Sequence, residues 1–407
     1  MLLRLAFRNL SRNRRRSIAT VLTIMLGYAA VTLFGGYVAN VYGSLSKQAI
    51  HGEKLGHLTI AKPGYFDLGN TTPENYIFDA EDQMKIKDAL KDLPGLVAIS
   101  PRLSASGLLS NGNTSTIFIG DAIAPKDLTI LSQGLANNRA GVLSPNDETG
   151  IAVAKNLAKA LSFSKGDEGV IFGSTFEGQA NAMDFRVEDV YNTGNAATND
   201  KALVMPMSLA QQLLDTQGAD RMTVLLDNKD LTQEAVIQAS ERLRSAGIKT
   251  EIRTWDEQSS FYRQVKNLFN MIFIFIFTIV LIIVVMSIIN TMSMVVIERT
   301  REIGTLRAIG MQRNLLLRLF SFEGLLLAIM GCLLGLALTA VVATTLNVIG
   351  LTYTPPNSSS PVRLLIDLVP QILASVFVGL CLFAVMSSAI PARKAANAVI
   401  TDSLGHV

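Results

Sequence analysis

Charge is scarce in this 407-residue chain. Only 17 % of its residues are Asp, Glu, Lys or Arg, against about a quarter in a soluble globular protein. Tryptophan occurs once, cysteine twice and histidine three times. His51, His57 and His406 are too scattered to form a metal site. Cys332 and Cys381 lie inside apolar runs and read as small buried hydrophobes, which excludes a disulfide framework and a paired-cysteine metal site. The dipeptide Gly-Lys is missing, so no phosphate loop of the form G-x-x-x-x-G-K-[ST] exists. Neither H-E-x-x-H nor G-x-S-x-G occurs. Acids such as Asp79, Glu81, Asp82 and Asp88 fall on expected solvent faces. A catalytic reading therefore fails, and no cofactor is expected on this chain. A net charge of +3 is too small for a nucleic-acid partner.

Apolar residues, at 49 %, are abundant and gathered. Crossing the hydrocarbon core takes about 20 of them in a row. Four runs qualify: 18–39, 268–297, 319–349 and 368–390. Glu323 is the only charge in the third, and Pro370 opens the fourth, where a missing N–H costs little. The second and third exceed the need and are expected to project or tilt. The first run is too long for a signal peptide's apolar core and reads as an uncleaved anchor.

Lys and Arg near the span ends set the orientation. Residues 1–16 carry Arg4, Arg8, Arg12, Arg14, Arg15 and Arg16 and no acid, and residues 298–318 carry five Arg against two Glu. Residues 42–266 hold 22 basic and 28 acidic residues. The reading is a multi-pass membrane protein with both termini cytoplasmic and the large segment on the far side. Its parts are an interfacial helix at 1–16, spans at 17–41, 267–297, 319–350 and 368–390, an extracytoplasmic domain at 42–266, a cytoplasmic helix at 298–318, an extracytoplasmic loop at 351–367 and a cytoplasmic tail at 391–407. In residues 1–16, Leu3, Phe7 and Leu10 share one helical face, with arginines on another.

Within 42–266, β-rich runs at 57–61, 97–109, 116–119, 170–173, 222–226 and 250–255 alternate with helical spacing at 80–93 and 231–246. The fold class is thus a four-helix membrane domain with a mixed α+β domain inserted between the first and second helices. Residues 50–108 with 219–255 are expected to form one lobe, and 110–218 a second. Trp255 reads equally as an interface anchor or a core residue.

The most informative segment is ERTREIGTLRAIGMQRNLLLR, residues 298–318. Its spacing suits a short amphipathic helix with a bend at Gly304 or Gly310, able to lie on the membrane or press into a partner's groove. In the third span, Gly331 and Gly335 form a small-xxx-small pair that permits close helix packing. Glu323 is expected to snorkel or to pair with an arginine such as Arg318.

Residues 300–335, TREIGTLRAIGMQRNLLLRLFSFEGLLLAIMGCLLG, closely resemble the hallmark of the MacB/LolC/FtsX family of ABC transporter permeases. LRLAFRNLSRNRRRSIATVLTIMLGYAAV (3–31) and IPARKAANAVITDSL (390–404) are similar to its other fixed regions. GHLTIAKPGYF (56–66) and IAVAKNLAKALSFSKGDEGVI (151–171) resemble lipoprotein-release permeases. The resemblance implies a dimer of permeases, identical or homologous, in the bacterial inner membrane with the large domain periplasmic, driven by a cytoplasmic ATPase dimer that binds the ATP and Mg. It implies a coupling helix at Arg301, Glu302, Ile303, Gly304, Leu306, Arg307, Ala308, Ile309 and Gly310, with Ile303, Leu306 and Ile309 seated in the ATPase and Glu302 and Arg307 in polar contacts. MacB itself carries its ATPase on the same chain, so a separate ATPase subunit is expected here. The expected work is mechanotransmission, extracting or exporting lipoprotein or lipid-like cargo from the periplasmic side, with a periplasmic adaptor or chaperone as a further partner. The alternatives are a MacB-like efflux permease for drugs, peptides or siderophores with an adaptor and outer-membrane duct, and an FtsX-like regulator of cell-wall hydrolases.

Overall fold

A computed structural model describes residues 14–69, 71–133, 135, 141–354 and 361–397. Nearly all of the expected interfacial helix, the loop at 355–360 and the tail from 398 lie outside these residues. In chain order the first main elements are α1 (Arg14–Lys47), β1 (Leu58–Ala61), α2 (Ala80–Leu90), β2 (Leu96–Ser110), β3 (Ser115–Ile123), β4 (Gly150–Ala154), β5 (Glu168–Ser174) and β6 (Ala180–Tyr191). They are followed by β7 (Ala202–Pro206), α3 (Met207–Leu214), β8 (Arg221–Leu226), α4 (Thr232–Ser245), β9 (Glu251–Thr254), α5 (Ser260–Glu298), α6 (Thr300–Ala308), α7 (Arg313–Ile349) and α8 (Pro370–Asn397). The chain forms two compact units, which divide after Tyr42 and again after Gln264.

Helices α1, α5, α7 and α8 are long and apolar enough to cross a membrane. The 39 residues of α5 extend about 58 Å at roughly 1.5 Å per residue, nearly twice a ~30 Å hydrocarbon core. Ile24, Tyr28, Ile288, Leu327, Cys332 and Leu380 share the core of this helical unit. Association in lipid gains little from hydrophobic burial and depends on close approach and hydrogen bonds. The unit has both. A Cβ at Gly331 would lie 2.6 Å from the Ile24 side chain, and one at Gly335 would lie 2.9 Å from the Met25 carbonyl oxygen. The Thr20 and Thr291 hydroxyls lie 2.6 Å apart, and those of Thr32 and Thr339 2.8 Å apart. Pro370 is the first residue of α8, as its missing N–H favours. The helix runs on through Pro391 to Asn397 rather than stopping at 390. Ala392, Ala395 and Ala396 bury against the same core and hold this last stretch in place.

The outer unit is organised by β2. Strands β3, β7, β4, β6, β5 and β2 follow one another, and β3 also pairs with β2, so six strands close into a ring. Pairings β3–β7 and β4–β6 are parallel. Ring closure leaves these strands no open edge. Helix α3 packs against five of them and buries Leu209, Ala210, Leu213 and Leu214. Beyond the ring, β2 continues into the order β2-β8-β1-β9. One face of that sheet is covered by Ile86 and Leu90 of α2 and by Ala235, Ala239 and Leu243 of α4.

Residues 96–102 of β2 pair with β8 and residues 103–110 pair with β3. The partner changes between Arg102 and Leu103, inside one unbroken strand. Trp255 is a core residue, buried and edge-on to Tyr262 at 4.7 Å.

Candidate functional site

α5 ends at Glu298, and Arg299 leaves helical geometry at φ −110° and ψ 14° before α6 begins at Thr300. The Thr300 hydroxyl donates to the Val296 and Ile297 carbonyls, which satisfies the end of α5. α6 runs through Gly304 without a break. The turn comes at Gly310, whose φ of +105° suits glycine alone, and α7 starts three residues later.

The faces of α6 have opposite environments. Ile303 is 6 % exposed and joins the core of the helical unit, with Gly304 buried beside it. Arg301, Glu302, Thr305, Ala308, Ile309 and Gly310 are exposed, Ile309 to 80 %, and Arg307 is half-buried. The seat expected of Ile303, Leu306 and Ile309 in the ATPase concerns a partner chain; within this chain Ile303 is turned into the bundle, while Ile309, on another side of a helix with 3.6 residues per turn, is exposed. The Leu306 side chain is outside the described residues.

Glu323 on α7 is buried, and its carboxylate lies 3.7 Å from the Arg299 guanidinium. Its partner is thus Arg299 rather than Arg318, which is exposed. The pair joins the root of α6 to the third long helix. A second ion pair, Arg16 to Glu298 at 2.5 Å, joins the end of α5 to the start of α1. Gly331 and Gly335 pack against α1 within this chain. Arg299 and the paired threonines escape the sequence reading; polar residues inside or at the end of apolar runs are the available signal.

The outer unit holds a closed network of charges. Arg102 is 1 % exposed, is paired with Asp121, and donates to the Lys54 carbonyl at 2.7 Å. Arg221 donates to Asp121 at 2.8 Å and to Asp220 at 2.8 Å, and Asp220 accepts the Ser104 N–H at 2.8 Å. Strands β8, β2 and β3 are thereby tied together where β2 changes partner. Burial, then the Arg102 charge, brings the Lys54 amine down to about 7. Burial, then His51, brings His57 down to about 4, and its Nδ1 accepts the Leu226 N–H at 3.0 Å. Among the described residues no cluster of His, Cys, Asp or Glu could hold a metal.

The pattern of a MacB-like periplasmic core domain matches residues 17–242, more than half of the chain, and that of an FtsX-like permease C-terminal region matches residues 274–400. The chain belongs to the MacB/FtsX-like family of ABC transporter permeases. The ABC transporter permease YtrF of Bacillus subtilis is 33 % identical over 146 residues, 34 % of this chain and 34 % of that one. The macrolide export ATP-binding/permease protein MacB of Campylobacter jejuni is 25 % identical over 97 % of this chain and 59 % of its own length. The chain thus spans about three fifths of its MacB relatives. The solved periplasmic region of MacB from Actinobacillus actinomycetemcomitans covers 54 % of this chain and 95 % of its own, with 17 % identity and a TM-score of 0.38. This family membership fits an inner-membrane permease with four apolar helices and a periplasmic-type domain after the first.

Proposed function

We propose that this permease couples ATP hydrolysis by a separate cytoplasmic ATPase dimer to extraction or export of lipoprotein or lipid-like cargo on the periplasmic side. It works as a dimer with an identical or homologous permease, its termini in the cytoplasm. The reading rests above all on α6. An exposed polar face rooted in the bundle by Ile303 and the Arg299–Glu323 pair suits a helix that receives force from a partner. Arg301, Glu302, Thr305, Arg307, Ala308 and Ile309 form the receiving surface, and Gly310 lets the chain turn back into α7. ATPase closure pushes α6, and α5, about 58 Å long, carries the displacement outward as a lever.

One observation favours a second reading, a MacB-like efflux permease. Relatives whose printed name is macrolide export match along 82 % to 99 % of this chain.

Purification of the tagged chain in mild detergent, with mass spectrometry of retained proteins and lipids, tests the proposal. An ABC ATPase with retained lipoprotein is the expected result. An ATPase with a periplasmic adaptor and no lipoprotein moves the assignment to efflux, and absence of any ATPase contradicts it.

A further inference from the structure

Two grooves among the described residues of the helical unit have opposite character. One, of about 340 Å³ between α1 and α5, is lined by Arg16, Thr20 and Asn290, and its arginine is already paired with Glu298. The other, of about 730 Å³, lies among α5, α7 and α8. Its lining is almost wholly apolar, including Leu281, Met286, Phe383 and Met386, with Arg393 the one charged residue among those described. Arg393 is exposed and makes no ion pair among the described residues. Lys394 is its neighbour, and both are exposed near the end of α8. Among the described residues no acid lines this groove.

Apolar cavities of this kind do not hold water, and in a membrane the medium that fills them is hydrocarbon. A neutral groove would accept the chain of any lipid. A cation at the mouth selects by headgroup, because basic pockets between membrane helices bind anionic lipid heads. We propose that this groove is a binding site for an anionic phospholipid, with an acyl chain along Leu281, Phe383 and Met386 and the phosphate at Arg393. The site lies on the face of the bundle formed by α5 and α8.

Native mass spectrometry of the full chain, released from vesicles of mixed phosphatidylglycerol and phosphatidylethanolamine, tests the site. The unaltered chain should retain phosphatidylglycerol with a preference of about fivefold, the worth of one basic residue at an anionic surface. R393Q should remove that preference. M386W, which fills the groove, should lower retention of both lipids, and R16Q in the other groove should leave the preference unchanged. An equal lipid ratio for the unaltered chain and R393Q overturns the proposal. So does M386C cross-linking to a second copy in membranes beyond the level of the unaltered chain, which would make the groove a helix interface.

Discussion

The two units solve the burial of polar groups in opposite ways. The outer unit carries whole charges inside: Arg102, Arg221, Asp220 and Lys54 all lie in or beside a hydrogen-bonded network. The helical unit replaces charge by hydroxyl pairs and by glycines that bring backbones together, and admits a buried pair, Arg299–Glu323, beside α6. Water explains the difference. In the outer unit hydrophobic burial drives folding, so polar groups can be devoted to fixing one strand pairing. In the bundle that drive is absent between helices, and fit must supply the association.

The largest test of this contrast is E323A. Removing one member of a buried pair strands the other charge at a cost of about 3–5 kcal/mol, so the detergent-solubilised chain should melt far lower, and an R299E/E323R exchange should recover part of the loss. Next is G331L, which pushes a side chain into Ile24. Overpacking costs typically ~1–3 kcal/mol, and the melting temperature should fall accordingly while an outward-facing L333A change has little effect.

In the outer unit K54M should raise the melting temperature, since ~1 kcal/mol corresponds to about 2–4 °C in chains of 150–250 residues. The folded amine titrates near 7, below its ordinary 10.5. The unfolded chain therefore binds more protons between those values, and native stability rises with pH across that window. The gain from K54M should be larger at pH 6 than at pH 10. The smallest effect belongs to His57, held at about 4 against an ordinary 6.5. Stability should decline as pH falls from 6.5 toward 4, and H57N should flatten that slope in thermal melts.

The spans are legible because a soluble fold rarely needs 20 to 30 apolar residues in a row, and a membrane helix does. α6 is legible because Arg, Ile and Gly alternate where a short connector would suffice. The ring is not. β4 is five residues, alanine-rich, and runs directly into a helix. β6 mixes apolar with charged residues, and β7 ends in proline. Their parallel pairings with distant strands leave no local trace. Spacing alone pairs Glu323 with Arg318, five positions away. The true partner sits in the break before α6, a feature of backbone geometry that periodicity does not register. Ile303 misleads similarly: an apolar residue on an amphipathic helix marks the side that needs cover, and here the bundle supplies that cover.

The proposed coupling makes the exposed side of α6 the surface that receives an ABC ATPase. A photo-reactive amino acid placed at Ala308 in the full-length protein, activated in whole cells and followed by mass spectrometry of the adducts, tests it most directly. The account predicts a cross-link to an ABC ATPase that disappears when the reactive group is moved to the buried position Ile303. Adducts to lipid alone, or equal cross-linking from both positions, would contradict it.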